Sequence, residues 1–153
     1  MPICPKTSRF TSGENCVPQL LAVDSGPLVA WLNARDRHHA RAAAFFKARR
    51  ERLVTTWPVI TEVCHLAPQR VRAGFLRWIA AGGASVFHLP DEDAALLAGW
   101  MDQYDDLPMD LADASLVWLS HHLRVLHIAT TDRTDFSVYR GAGGRSFKNV
   151  FFP

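Results

Sequence analysis

The sequence predicts a three-layer α/β/α domain with a central parallel sheet of four to five strands, and three observations predict it. From Leu20 onwards, short apolar runs of strand length alternate with longer segments of helical period. Strands separated by helices imply crossover connections, and so a parallel sheet covered on both faces. The chain has 153 residues, 48% of them hydrophobic, which suffices for one domain with a real core.

Each element follows in order. The run Leu20-Leu21-Ala22-Val23 ends at Asp24 and is closed by Ser25-Gly26-Pro27, which reads as a buried strand turning into a helix. Gly26 eases that turn, and Pro27 is tolerated in a first helical turn. A helix over 27–33 follows, and a second over 38–52 carries Ala42, Phe45, Phe46 and Arg49 at helical spacing. Residues 53–56 form the next strand. Pro58 then opens a helix that includes Glu62 and Leu66, and Pro68 breaks it. A helix over 69–81 places Val71, Phe75, Trp78 and Ile79 on one face and ends at Gly82-Gly83. Residues 85–89 form a strand, after which Pro90-Asp91-Glu92-Asp93 starts a helix with acidic residues in its first turn, where the macrodipole favours them. Its buried stripe is Leu97, Trp100, Met101 and Tyr104. A helix over 111–123 buries Ala112, Leu116, Leu119 and Leu123, residues 125–130 form a fourth strand, and 149–152 a short fifth.

No internal repeat or second-domain boundary interrupts residues 20–153, and residues 1–19, rich in Pro, Ser, Thr, Gly and Asn, read as a flexible extension outside the fold. They lack the apolar core of a signal peptide, and no stretch elsewhere is long and apolar enough to span a bilayer, so no membrane is expected. Cys4, Cys16 and Cys64 are an odd set without a C-x-x-C pair, which supports neither a disulfide framework nor a zinc ribbon and fits the cytoplasm. The net charge of +2 says little about partners, but arginine greatly outnumbers lysine, and six arginines fall between Arg35 and Arg52. Arginine grips phosphate in a bidentate manner, although a solvated helix face explains any one of these residues equally well.

The acids carry the chemistry. Four apolar stretches lead to Asp24, Glu62, Asp113 and Asp132. In an open parallel sheet, ligands bind outside the carboxyl ends of the strands. Asp24 and Asp132 follow the first and fourth strands directly. Glu62 sits within two turns of the same edge, and Asp110 and Asp113 lie one turn apart at the start of their helix. Carboxylates gathered there repel one another unless a divalent cation lies among them, which points to Mg²⁺ or Mn²⁺ and to phosphate esters. Each acid also has a structural explanation. Asp110 stands where a helix N-cap stands, and Asp135 either caps the turn after Asp132 or reaches a second metal.

The motifs Val23-Asp24-Ser25, Thr61-Glu62-Val63, Asp110-Leu111-Ala112-Asp113-Ala114 and Thr131-Asp132-Arg133-Thr134-Asp135-Phe136 resemble those of the PIN-domain ribonucleases, and among them the bacterial VapC toxins of toxin–antitoxin pairs. The resemblance runs from Leu20 to Pro153, with short motifs in family order and at family-like spacing. It implies a PIN-like fold and a metal-binding catalytic core of Asp24, Glu62, Asp113 and Asp132, with Asp110 and Asp135 as accessory residues. It further implies a metal-dependent endoribonuclease that leaves a 5′-phosphate and a 3′-hydroxyl, a cognate VapB-like antitoxin, and pairing into a homodimer. The exposed aromatic and aliphatic residues around 31–46 and 59–79 are candidates for the antitoxin groove. Arg37, Arg41 and Arg133 are candidates for contacts with RNA phosphates. In the family pattern the first strand begins almost at the start codon, so the extension is a departure.

Other chemistries fit less well. His38-His39 and His121-His122 are adjacent pairs that do not share a helix face, and Glu62-Val63-Cys64-His65 is a single E-x-x-H where a di-iron bundle needs two. Gly26 stands where a haloacid-dehalogenase phosphohydrolase wants a second Asp. A receiver domain wants adjacent carboxylates after its first strand and a Lys after its last, and neither is evident. The alternative outside enzymology is a metal-stabilised module that binds RNA or protein without cutting.

Overall fold

A computed structural model describes residues 19–152. The 1–18 part of the expected extension lies outside the described residues. Five strands, β1 (Leu20–Val23), β2 (Arg52–Thr56), β3 (Ser85–Phe87), β4 (His127–Ala129) and β5 (Lys148–Asn149), form one sheet in the order β3-β2-β1-β4-β5. All four pairings are parallel. Leu21 registers with Leu53 of β2, and Ala22 with Ile128 of β4, so the most apolar strands occupy the middle. Leu21, Ala22, Val23, Val54, Ile128 and Ala129 are all buried, as expected of parallel strands covered on both faces.

Among the described residues seven helices connect and cover the sheet: α1 (Ser25–Leu32), α2 (His39–Ala48), α3 (Trp57–Leu66), α4 (Gln69–Ala80), α5 (Ala94–Gln103), α6 (Leu111–Leu123) and α7 (Asp135–Val138). The helix α6 spans the predicted residues and is buried continuously from Ala114 to Ser120. Its buried hydroxyls are each satisfied: Ser115 Oγ donates to the Ala112 carbonyl and pairs with Thr56 Oγ1, while Ser120 Oγ donates to the Val125 carbonyl. Such internal bonding is what permits polar groups in a helical stretch buried on every side.

Several expectations need correction. The helix predicted from Pro90 begins instead as a single 3-10 turn over Asp91–Asp93, and α5 starts at Ala94. Asp93 also accepts the Trp118 indole N–H at 2.7 Å, a tertiary bond that sequence periodicity does not reveal. The helix predicted over 38–52 ends at Ala48, because Arg49 is already extended and the chain must enter β2 at Arg52. The fifth strand covers only Lys148–Asn149, and α7 was not anticipated. Gly26 lies inside α1 and serves a close approach more than a turn: a Cβ there would overlap the Thr131 hydroxyl. The paired histidines are absorbed into packing, with His122 stacked on Trp118 and His121 on Trp100.

The sheet order positions the site. From β1 the chain builds outwards through β2 and β3, then returns to place β4 and β5 on the other side of β1. The reversal leaves a crevice outside the carboxyl ends of β1 and β4, the place where open α/β sheets bind ligands.

Candidate active site

Asp24 is the residue immediately after β1. Its backbone N–H donates to the Ala129 carbonyl at 3.0 Å, extending the β1–β4 ladder one step and holding the residue at the crevice. The side chain caps α1: Oδ1 accepts from the Ser25 N–H at 2.6 Å. Oδ2 accepts from the Thr130 hydroxyl at 2.7 Å. Only 7% of Asp24 is exposed, and burial, with the nearby charges of Glu62 and Asp110, pushes its pKa up to about 6 despite those two hydrogen bonds.

Asp113 projects from the first turn of α6. Burial, then repulsion from Asp110, Asp24 and Asp135, raises its pKa to about 8. Asp110 is the N-cap of that helix, its Oδ1 accepting the Asp113 N–H at 2.8 Å. It is therefore the helix cap that the sequence offered, and its charge acts on Asp24 and Asp113. The Tyr139 hydroxyl approaches Asp113 Oδ2 at a long 3.5 Å, and the Tyr139 pKa is raised by burial and by the surrounding carboxylates.

Asp132 and Asp135 form the other flank. Asp132 Oδ1 accepts the N–H groups of Thr134 at 2.7 Å and Asp135 at 2.9 Å, so the turn is capped by Asp132 and not by Asp135. Asp135 begins α7, and burial together with Asp132 and Asp110 raises its pKa. Thr130 ties the flanks together, since its hydroxyl oxygen accepts the Asp132 N–H at 2.9 Å while donating to Asp24. Glu62, in the second turn of α3, completes the set through its charge on Asp24.

Of the six predicted acids, Asp24, Asp113 and Asp135 are held above their ordinary values, and the charges that act on them are those of Glu62, Asp110, Asp132 and one another. Among the described residues the one ion pair is Arg49–Glu51, so none of the six has a cationic partner. The same residues hold no three His, Cys, Asp or Glu side chains drawn close enough to enclose an ion as they stand. A hard divalent cation with oxygen ligands is the group whose charge would offset the repulsion among these carboxylates. The donor set fits it. Asp113 Oδ1 has no hydrogen-bond partner among the described residues, and Asp24 keeps unused lone pairs on both oxygens. Thr130 and Tyr139 escaped the sequence reading because each meets its carboxylate only through the fold.

Arg37, Arg41 and Arg133 are exposed, and none of them pairs with an acid among the described residues. The Arg37 Nε donates to His38 Nε2 at 3.0 Å, and the guanidiniums of Arg41 and Arg133 both lie over Phe152. Trp31, Phe46 and Trp78, expected as exposed groove residues, pack on one another with ring centroids 5.2 and 5.1 Å apart and are half-buried. In the second of these segments Leu66 and Leu76 remain exposed, as does Trp57 just before it.

Fold and crevice together define an α/β protein with an acidic pocket at the switch point of a parallel sheet. The PIN domain family model matches residues 21–141, and the chain belongs to that family. A curated relative, ribonuclease VapC26 of Mycobacterium tuberculosis, is 28% identical over 131 residues, covering 83% of this chain and 97% of that protein. The crystal structure of Mycobacterium tuberculosis VapC20, described as a sarcin–ricin-loop-cleaving toxin, matches with a TM-score of 0.67 at 19% identity. That match covers 74% of this chain and 91% of the other, and it shows a shared fold.

Proposed function

We propose that this protein is a metal-dependent endoribonuclease that hydrolyses RNA phosphodiester bonds and acts as the toxin of a toxin–antitoxin pair. The observation that carries the reading is the set of six carboxylates at the carboxyl edge of β1 and β4, none of them paired with a cation among the described residues. Membership of the PIN family and similarity to ribonuclease VapC26 support RNA as the substrate.

Asp24 and Asp113 would hold Mg²⁺, or Mn²⁺ in its place, with Glu62 and Asp132 completing the shell directly or through water. Such an ion polarises a phosphoryl oxygen and lowers the pKa of bound water. The chain's own groups set the geometry. Thr130 orients Asp24 and, through the Asp132 N–H, the turn that carries Asp132. Asp110 fixes the first turn of α6 and hence the direction of Asp113. Glu62 or Asp132 accepts the proton of the attacking water. The water oxygen bonds to phosphorus as the bond to the 3′ oxygen breaks, and that oxygen takes a proton from solvent, leaving a 3′-hydroxyl and a 5′-phosphate.

Asp24→Asn and Asp113→Asn each remove one charge at nearly constant volume. Both variants are expected to lose at least about a hundred-fold in cleavage of labelled RNA in Mg²⁺, with wild-type circular dichroism, on the scale of losing one electrostatic stabiliser. Unchanged metal-dependent cleavage by either variant would refute the assignment. Retained RNA binding by a wild-type protein that cuts nothing would favour the non-catalytic module. A VapB-like antitoxin as partner, a homodimer and a cytoplasmic setting belong to the same proposal. Light scattering on the chain, alone and co-expressed with a small neighbouring gene, tests the first two.

A further inference from the structure

We propose that Phe152 pins Arg41 and Arg133 into a two-guanidinium clamp for the phosphate backbone of the RNA strand beside the acidic pocket. The inference rests on the ribonuclease reading and adds to it the path of the substrate.

The two arginines come from different parts of the fold, Arg41 from α2 and Arg133 from the loop after β4. Their guanidinium carbons lie 5.1 and 4.8 Å from the centroid of the same Phe152 ring. An aromatic face attracts cations, so one ring gathers two like charges that would otherwise separate. The ring is itself wedged edge-on against Phe151, at 4.9 Å, and His38, at 5.3 Å.

Arg49 provides the contrast within the same molecule. It lies 4.4 Å over Phe45 in the same manner, but its charge is met by Glu51 at 3.4 Å. No carboxylate meets Arg41 or Arg133 among the described residues. Arg41 spends one N–H on the Phe151 carbonyl, at 3.1 Å, and both side chains are exposed. Two guanidinium forks held at one ring suit an anion with several oxygens spaced along a chain. Arg37, bonded to His38, continues the basic edge.

The clamp is also tied to the pocket. Arg133 directly follows Asp132. Asn149 accepts the Phe151 N–H at 2.9 Å and donates to the Thr130 carbonyl at 3.0 Å, and Thr130 in turn holds Asp24. A strand with its scissile phosphate at the acids therefore meets the clamp through neighbouring phosphates.

The test is fluorescence anisotropy with a labelled single-stranded RNA oligonucleotide in EDTA, over a range of salt concentrations. The Arg41→Gln/Arg133→Gln variant is expected to bind about ten-fold more weakly at low salt, with the slope of log K against log salt reduced by about 1.4 for two lost contacts. Phe152→Leu, which keeps apolar bulk and removes the π face, is expected to show a smaller loss of the same kind. Arg77→Gln, on an exposed face of α4, is expected to match wild type. Arg133→Gln alone supplies the readout should Phe152→Leu fail to fold.

Wild-type affinity and slope in the double variant would overturn the clamp and leave these arginines to an acidic protein segment. An equal loss in Arg77→Gln, or no RNA binding by the wild type, would overturn it as well. Cleavage in Mg²⁺ is scored separately. A double variant that binds RNA normally and cuts it removes the clamp but not the nuclease, whereas weakened binding by a protein that never cuts removes the nuclease but not the clamp.

Discussion

Asp24 and Asp113 pay for their position with raised pKa values, and the cost has a measurable sign. Their ordinary value of 3.8 rises to about 6 and about 8 in the fold, so between those limits the folded protein holds protons that the unfolded chain has released. Stability of the metal-free protein must then fall as pH rises from about 4 to 8, because the folded state binds more protons. In EDTA the melting temperature is expected to be lower at pH 8 than at pH 5.5, and Asp113→Asn is expected to flatten the decline. A wild-type protein equally stable at both pH values would contradict the raised pKa of Asp113. At this scale the acids themselves were legible, since each closes an apolar run. Their supports were not. Thr130 lies 106 positions from Asp24, Tyr139 lies 26 from Asp113, and nothing in a local pattern marks either one.

Elements carry these side chains to a common edge. The β1–α1 turn matters most, because Asp24 ends the strand and caps the helix at once. Gly26 lets that helix start press against Thr131, which stands between Thr130 and Asp132. Gly26→Ala is expected to lower stability by about 1–3 kcal/mol through overpacking, and Thr131→Ala to restore part of it. Denaturant titration checks both, and full stability in Gly26→Ala would show that the contact yields freely. The central strands and α6 were legible because burial on both sides leaves continuous apolar stretches. The stretch 133–147 was not: α7 is four residues long and the following 3-10 turn, Ala142–Gly144, lies among glycines, too short for a helical period to register. The end of α2 was overextended because Arg49 and Arg50 continue a helical composition while the backbone is already turning towards β2.

At the scale of the whole molecule, one reversal in strand order does most of the work. It brings acids more than a hundred positions apart to one crevice, and β5 carries Phe151 and Phe152 to the adjoining edge. Sequence order of the motifs anticipated the crevice, while the arginine–phenylalanine cluster emerged only when α2 and the chain after β5 met. The resulting surface sets an acidic pocket, suited to a cation, beside a basic edge suited to a polyanion. That pairing of opposite fields is the central claim, and Mn²⁺ titration by calorimetry addresses it most directly. Saturable binding is expected at pH 8, weakened by about ten-fold or more at pH 6, where protons compete for Asp113. The Asp24→Asn/Asp113→Asn variant is expected to show none. Undiminished binding in that variant, or no binding by the wild type at pH 8, would contradict the claim.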